Sequence, residues 1–197
     1  RQQLYTAYDE LLSEPVRQKM RDLVKRRANA EPVAYLVGSK EFYSLPFEVN
    51  SHVLIPRPDT ELLVMEGLRL IQEIPEPRVL ELGVGSGCIS TALAVNHKMV
   101  HIVGVEIEPG ALATAQRNLE RNRVADRVEL RSGDLFGPLK PGEQFDLLIS
   151  NPPYIPSAEI SQLDATVRQH EPHRALDGGS DGLDIIRRIA AQAGQFL

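Results

Sequence analysis

Between residues 78 and 150 the sequence alternates short apolar segments with amphipathic ones. The apolar segments cover residues 78–82, 102–106, 128–132 and 145–150, and helical patterns cover residues 87–96 and 109–122. This order predicts parallel strands joined by crossover helices. The apolar segments lack the polar alternation of a sheet with one wet face, so we expect helices on both faces. The sequence therefore predicts an α/β fold with a parallel sheet.

The region before residue 78 has a different pattern. Residues 14–29 form a helical pattern, with Ser13 as a possible cap and Pro15 in the first turn, and residues 41–55 resemble a β-hairpin. A proline-rich break follows, in which Asp59 or Thr60 can cap a helix over residues 61–73. The helical pattern has one apolar face that needs a partner, made of Leu12, Val16, Met20, Leu23 and Val24.

A glycine-rich segment lies where the first predicted strand turns into its helix. Gly83, Gly85 and Gly87 alternate, with Val84 and Ser86 between them. Glycines allow a tight turn and let a ligand approach the backbone near a helix N-terminus. The spacing departs from the dinucleotide fingerprint, because its third glycine would fall at position 88. With Glu81 in front, the segment resembles motif I of the class I S-adenosylmethionine-dependent methyltransferases.

That resemblance implies further cofactor-binding residues at the next two strand ends. Glu106 ends the second strand, where a carboxylate would accept hydrogen bonds from both ribose hydroxyls. Asp134 and Leu135 follow the third strand, where adenine would lie. Two of the acidic residues have a simpler alternative role: Glu81 can bond nearby backbone amides, and Asp134 can stabilise a turn. We predict that Glu81, the segment from Gly83 to Gly87, Glu106, Asp134 and Leu135 bind S-adenosylmethionine.

The tetrapeptide Asn151-Pro152-Pro153-Tyr154 directly follows the last apolar segment. The prolines fix φ and remove two backbone donors, so the Asn151 side chain and the Pro152 carbonyl can face a planar NH2 group. Each would accept one N–H, and Tyr154 would pack against the plane. We predict Asn151, Pro152 and Tyr154 as catalytic, all four as substrate-binding, and Asn151 as also facing the cofactor. A general base is not evident.

Four further strings narrow the acceptor. Residues 31–38, 41–45, 55–61 and 175–183 together resemble the HemK family, and within it the branch that methylates release factors. The resemblance implies N5-methylation of the glutamine side-chain amide in the Gly-Gly-Gln loop of class 1 peptide chain release factors. A ribosomal-protein glutamine methyltransferase shares the tetrapeptide, but the string at residues 57–61 favours the release-factor branch. Glu81 and Glu106 stand where Asp is common in such motifs.

Two alternatives from other classes stay open. One is an N6-adenine methyltransferase acting on RNA or DNA, with Tyr154 stacked on an extruded base. The net charge of −5 and the lack of a dense basic stripe count against it. The other is a protein-interaction module that keeps a nucleotide pocket without catalysis. The glycines, Glu106 and Asn151 count against that one.

Composition limits the remaining possibilities. The lone Cys88 excludes an intrachain disulfide and a multi-cysteine metal site, and no apolar run is long enough to span a bilayer. We expect a cytoplasmic monomer that binds a release factor as its protein substrate, without a metal and without direct contact to nucleic acid or membrane. His170 and His173 are predicted as ordinary loop histidines.

The resemblance also divides the chain. Residues 1–30 would be the remnant of an N-terminal helical domain, residues 31–58 a β-hairpin linker, and residues 59–197 a methyltransferase domain. The family's domain continues through a fifth strand and an antiparallel pair, whereas this sequence stops within a predicted helix at residues 182–197. We therefore expect a fragment of a longer protein, truncated before the fifth strand.

Overall fold

A computed structural model describes residues 11–197, so the first ten residues of the predicted 1–30 element lie outside the described part. A four-stranded parallel sheet forms its centre, with the strand order β5-β4-β3-β6. The strands are β1 Ser39–Phe42, β2 Leu45–Glu48, β3 Arg78–Leu82, β4 His101–Glu106, β5 Val128–Ser132 and β6 Leu147–Ser150. The helices are α1 Glu14–Ala28, α2 Val33–Val37, α3 Glu61–Ile71, α4 Cys88–Asn96, α5 Pro109–Arg121, α6 Ala165–His170 and α7 Asp184–Ala193.

The central strands bury both of their faces, as the sequence predicts. Val79 packs with α3, α4 and α5 on one face, while Leu80 packs against α7 on the other. Because successive strand residues point to opposite faces, strands of this kind contain continuous apolar runs. The α/β prediction is confirmed. β6 begins at Leu147 rather than at residue 145, and the Phe145 amide donates to the Phe196 carbonyl at 2.8 Å instead of to a strand.

The predicted hairpin forms from β1 and β2, which pair antiparallel. Its two-residue turn places Tyr43 and Ser44 at φ of 50° and 59°, the left-handed geometry that matches the twist of a tight hairpin. Phe42 and Phe47 are fully buried in the same core as α4, so the hairpin packs on the sheet domain. Two details differ from the prediction, because residues 33–37 form a short helix and residues 53–55 form no strand.

Asn118 on α5 connects this hairpin to the glycine segment. Its side-chain oxygen accepts from the Glu48 amide at 2.7 Å, and its NH2 donates to the Glu48 and Ser86 carbonyls at 3.0 and 2.9 Å. The Asn118 side chain is completely buried, so each of these bonds satisfies a polar group away from water. Through Asn118, the hairpin therefore helps to fix the position of the glycine segment.

The first described helix forms as predicted, and its apolar side chains are exposed. Val16, Met20 and Val24 are 49%, 59% and 59% accessible. Pro15 lies in the first turn and basic side chains lie in the last turn, where they complement the helix dipole. Within residues 11–197, no helix combines the length and apolar character needed to cross a membrane.

Candidate active site

The carboxyl ends of the central strands border a cavity of about 890 Å³. Open parallel sheets bind their ligands at this edge. Nearly all of the predicted site residues line it: Glu81, Gly83, Val84, Gly85, Ser86, Glu106, Asp134, Leu135, Asn151, Pro152 and Pro153. Gly87 and Tyr154 do not line this cavity.

Gly83 and Gly85 provide the geometry that a close ligand needs. Their φ angles are 75° and 55°, and a Cβ atom at either position would meet no other atom within 4 Å. The open space lies beside the cavity, so the backbone is accessible to a ligand. Gly87, at φ 76°, serves packing instead, since its Cβ would lie 3.2 Å from the Cβ of Ala115 on α5.

Glu106 ends β4 and holds the glycine segment by its side chain. One oxygen accepts from the Gly85 amide at 2.9 Å, and the other accepts from the Ile107 and Glu108 amides, each at 2.9 Å. A carboxylate offers about four acceptor positions. Three are therefore used within the chain, which leaves room for a hydroxyl donor from a ligand in the cavity.

Glu81 is the most buried acid of the site, with 1% of its surface exposed. Its carboxyl group accepts from the Ser90 amide at 3.0 Å and from the Ser90 hydroxyl. It therefore caps the first turn of α4, where the preceding Gly87 has no side chain to do so. Burial raises the pKa of Glu81 to about 8 despite these bonds. The amide-binding alternative considered for Glu81 is thus present in the structure, and its cofactor contact stays a prediction.

Burial also affects the neighbouring cysteine. The pKa of the Cys88 thiol is raised to about 12 by burial and by the nearby Glu81 carboxyl. At neutral pH the thiol keeps its proton, and a protonated thiol is a poor nucleophile. Cys88 therefore has the character of a core residue at the start of α4.

Asp134 lies on the opposite wall and pairs with a residue of α7. Its carboxylate bonds the Arg188 guanidinium at 2.5 Å, with both side chains about half exposed. Leu135 follows at φ 48° and is partly buried. Contact of these two residues with adenine stays a prediction.

Asn151 follows β6 and faces the cavity from the adjacent strand. Its side-chain NH2 donates to the Thr60 hydroxyl at 3.4 Å. The preceding Ser150 donates its hydroxyl to the Leu82 carbonyl at 2.7 Å, and the two residues are in register across β3 and β6. The acceptor tetrapeptide and the glycine segment are therefore joined at neighbouring strand ends.

The string at residues 175–183 packs against the backbone at the end of the tetrapeptide. The Ile155 amide donates to the Leu176 carbonyl at 3.0 Å, and the Gly178 amide donates to the Ile155 carbonyl at 2.9 Å. A Cβ at Gly182 would lie 2.3 Å from the Tyr154 carbonyl oxygen, so only a glycine fits against this backbone. The Tyr154 ring is 62% exposed, and its packing on a substrate stays a prediction.

Comparison with known proteins agrees with this geometry. Residues 60–176 match the model described as methyltransferase small domain, and residues 1–38 match the one described as PrmC N-terminal domain. The release factor glutamine methyltransferase of Geobacter sulfurreducens is 50% identical over 98% of this chain. The one from Rhodopirellula baltica is 43% identical over 99% of the chain, and the one from Koribacter versatilis is 39% identical over 98%.

The chain belongs to the release factor glutamine methyltransferase family. The resemblance predicted from the sequence is therefore confirmed. The alignments cover 66%, 67% and 69% of these three relatives, so the chain spans about two thirds of their length. Among solved structures, the hMettl16 catalytic domain in complex with the MAT2A 3'UTR hairpin 6 superposes with a TM-score of 0.64. It covers 85% of this chain and 64% of that one at 17% identity, which supports the class I methyltransferase fold.

Some residues of this family member were missed by motif reasoning. Thr60 was predicted only as a helix cap, yet its side chain caps nothing and instead accepts from Asn151. Glu171 was not predicted at all, although its buried carboxylate binds Arg57 at 2.5 Å and accepts from the Ile55 amide at 3.1 Å. Thr60 and Arg57 both lie inside the string at residues 55–61, so the resemblance of that string to the family is the sequence signal that points to these residues.

His170 and His173 lie in the segment that follows the tetrapeptide. The His170 Nε2 atom is 2.9 Å from the Asn29 carbonyl oxygen, next to the end of α1. His173 lines the cavity, and its Nδ1 atom lies 3.8 Å from the carboxylate of Asp177. Neither ring is hydrogen-bonded to the Asn151 side chain. His170 ends α6 and His173 begins a 3-10 turn, so the predicted loop placement is wrong. Their lack of a catalytic role stays a prediction.

Proposed function

We propose that the protein containing this chain transfers the methyl group of S-adenosylmethionine to the N5 atom of a glutamine side chain. The acceptor is the glutamine of the Gly-Gly-Gln loop in class 1 peptide chain release factors. One observation supports this most directly: Asn151, Pro152 and Pro153 line the same cavity as residues 83–86, at strand ends joined by a hydrogen bond. The names of the relatives supply the substrate class.

The residues of the cavity fit this methyl donor. Gly83 and Gly85 leave open space beside their backbone, and Glu106 keeps one acceptor position for a ribose hydroxyl. The carboxylates of Glu106 and Glu108 line the cavity beside the glycine segment and favour a cationic ligand there. The buried Glu81 carboxyl, with its pKa raised to about 8, keeps its proton at neutral pH. When bound, the donor supplies an electrophilic methyl group on a positively charged sulfur.

The acceptor side orients a poor nucleophile. The Asn151 side-chain oxygen and the Pro152 carbonyl accept the two N–H groups of the glutamine amide and aim its nitrogen at the methyl carbon. As the new N–C bond forms, the S–C bond breaks and the sulfur keeps its electron pair. The nitrogen then loses one proton to water or through the Pro152 carbonyl. Orientation, rather than a dedicated base, supplies the catalysis.

A labelling experiment tests the proposal. The full-length protein is incubated with methyl-labelled S-adenosylmethionine and with separate pools of a release factor, ribosomal proteins and RNA. Label should enter the release factor, and mass spectrometry should place it on the Gly-Gly-Gln glutamine. A release factor with this glutamine changed to asparagine is the control. Label in ribosomal protein or RNA alone would contradict the proposal.

The predicted cytoplasmic location and the monomeric state belong to the same proposal. A release factor is met where translation terminates, which places the proposed reaction in the cytoplasm. Sedimentation of the full-length protein at several concentrations measures its oligomeric state. A concentration-dependent shift to a dimer would contradict the monomer.

A further inference from the structure

Thr60 is a buried polar residue on the cavity wall, with 8% of its surface exposed. Its hydroxyl oxygen accepts the hydrogen bond of the Asn151 NH2 group at 3.4 Å. This is the one hydrogen bond that the Asn151 side chain makes to protein within residues 11–197. We propose that Thr60 is a positioning residue that fixes the amide plane of Asn151 for methyl transfer. This inference rests on the proposed function.

The chemistry requires one orientation of the Asn151 amide. Its oxygen must face the acceptor NH2, since its own NH2 in that place would set donor against donor. The two orientations have nearly the same shape, so packing alone distinguishes them poorly. With its NH2 bonded to Thr60, the Asn151 oxygen is left for the substrate.

Thr60 is itself held by groups that do not involve Asn151. It ends the 3-10 turn Pro58–Thr60, in which Pro58 restricts φ and the Thr60 amide donates to the Arg57 carbonyl at 3.0 Å. Arg57 in turn binds Glu171 at 2.5 Å, and Glu171 also accepts from the Ile55 amide. Glu171 therefore ties the residues just before the turn to the segment that follows the tetrapeptide.

The next helix fixes the same turn relative to β6. α3 begins directly after Thr60, and Gly67 within it packs closely on the sheet. A Cβ at Gly67 would lie 3.3 Å from the Cδ1 atom of Ile149, two residues before Asn151. A closely packed interior is hardly compressible, so α3 and β6 keep a fixed relative position. The hydroxyl of Thr60 is thus placed in advance of substrate binding.

The test compares valine, which has the shape of threonine without its hydroxyl, with serine, which keeps the hydroxyl. In the full-length protein, Thr60→Val should lower kcat for release factor methylation about 5- to 50-fold, because the Asn151 amide loses the bond that fixes its orientation. Its Kd for S-adenosylmethionine should stay within twofold. Thr60→Ser should restore kcat to within about threefold of wild type.

Two controls separate positioning from a loss of structure. Thr91→Val changes a buried threonine whose hydroxyl makes no hydrogen bond within the described residues, and it should leave kcat unchanged. Added to Asn151→Ala, Thr60→Val should lower kcat no further, because the two residues act through one bond. Thr60→Ala provides a second hydroxyl-free variant if valine lowers donor affinity.

The outcomes are distinct. If wild-type protein does not label a release factor, the proposed function fails. If wild type does label it, and the hydroxyl-free variant that binds donor normally keeps its kcat within twofold of wild type, the role of Thr60 is overturned. An equal loss in Thr60→Ser and Thr60→Val, or full additivity with Asn151→Ala, would also overturn it.

Discussion

The cavity has two halves that are built in different ways: the donor half around the glycine segment and Glu106, and the acceptor half around Asn151. The donor half comes almost entirely from residues 81–108, where Glu106 holds the amide of Gly85 across two adjacent strands. The acceptor half joins residues that are far apart in the chain. Thr60 bonds Asn151, Glu171 binds Arg57, and Gly182 packs on the backbone of Tyr154.

This difference determines where the chain tolerates change. The side-chain bonds of Glu81 and Glu106 close within one βαβ unit, so this part of the donor half forms together with the sheet. The acceptor half depends on contacts across more than a hundred residues, such as that between Arg57 and Glu171. We expect substitutions on the two sides to separate donor binding from methyl transfer.

The largest separation should come from Asn151→Ala. Without the amide oxygen, the acceptor nitrogen loses its orientation, and misplacement of a reacting group costs roughly 10²-fold or more. The Kd for S-adenosylmethionine should stay within twofold, as measured by calorimetry beside single-turnover transfer to a release factor. Asn96→Ala, at the end of α4, is the matched control. Transfer at a near wild-type rate would remove the acceptor half from the mechanism.

The opposite separation is expected for Glu106→Ala. Removal of the carboxylate frees three backbone amides and removes the proposed ribose contact, so donor affinity should fall about 10- to 100-fold. At saturating donor, kcat should change far less. Equilibrium binding of S-adenosylmethionine gives the measurement. Glu129→Ala on β5, an exposed acid paired with Arg131, should bind donor normally. A large fall in kcat with unchanged Kd would contradict the division.

A smaller effect is expected for Gly182→Ala, which tests the support of the tetrapeptide. The added Cβ would collide with the Tyr154 carbonyl oxygen, and a shift of that backbone should lower transfer about 10-fold while donor binding persists. Gly142→Ala is the matched control, because both glycines have φ 79° but a Cβ at Gly142 meets nothing within 4 Å. Equal transfer rates in the two variants would show backbone strain, not contact, to be the cause.

The smallest effect concerns stability. The pKa of Glu81 rises from 4.5 to about 8 on burial, so between these pH values the folded protein holds a proton that the unfolded chain has lost. This group therefore lowers stability as pH rises, by up to about 1.4 kcal/mol per pH unit. In Glu81→Gln this dependence should vanish. Urea unfolding of the donor-free, full-length protein between pH 5 and 8 measures it.

Glu143 provides a comparison of opposite sign. The hydrogen bond from Arg131 lowers the pKa of Glu143 from 4.5 to about 2. The ionised Glu143 therefore stabilises the folded protein above pH 4.5, and this stabilisation is lost as pH falls from 4.5 toward 2. Glu143→Gln should therefore leave the slope between pH 5 and 8 unchanged. A variant Glu81→Gln with the wild-type slope in this range would show that the carboxyl is ionised when folded.

The sequence predicts the donor half well for the same reason that this half is compact. Gly83, Gly85 and Glu106 have roles that follow from their place at successive strand ends, and the strand bounds at residues 78–82 and 128–132 agree with the prediction. Thr60 could not be placed in this way. A threonine before a helix predicts a cap, and its contact with Asn151 depends on how α3 packs against β6.

The supporting glycines show the same limit. Gly182 has left-handed backbone geometry, which a sequence can suggest. A side chain is excluded at this position because the Tyr154 carbonyl lies against it, and that contact cannot be predicted from the sequence. Asn118 likewise has the pattern of an ordinary helix residue, although it binds the carbonyls of Glu48 and Ser86. Such contacts exist only after the sheet, the hairpin and α5 have come together.

The bond from the Ser150 hydroxyl to the Leu82 carbonyl has a consequence for the reaction itself. It locks two neighbouring strand ends, one leading to the donor segment and the other to the acceptor tetrapeptide. Neighbouring strands lie about 4.8 Å apart, so the glycine segment and the tetrapeptide leave the sheet side by side. The paired strand ends thus hold the proposed donor-binding and acceptor-binding residues next to each other before any ligand binds.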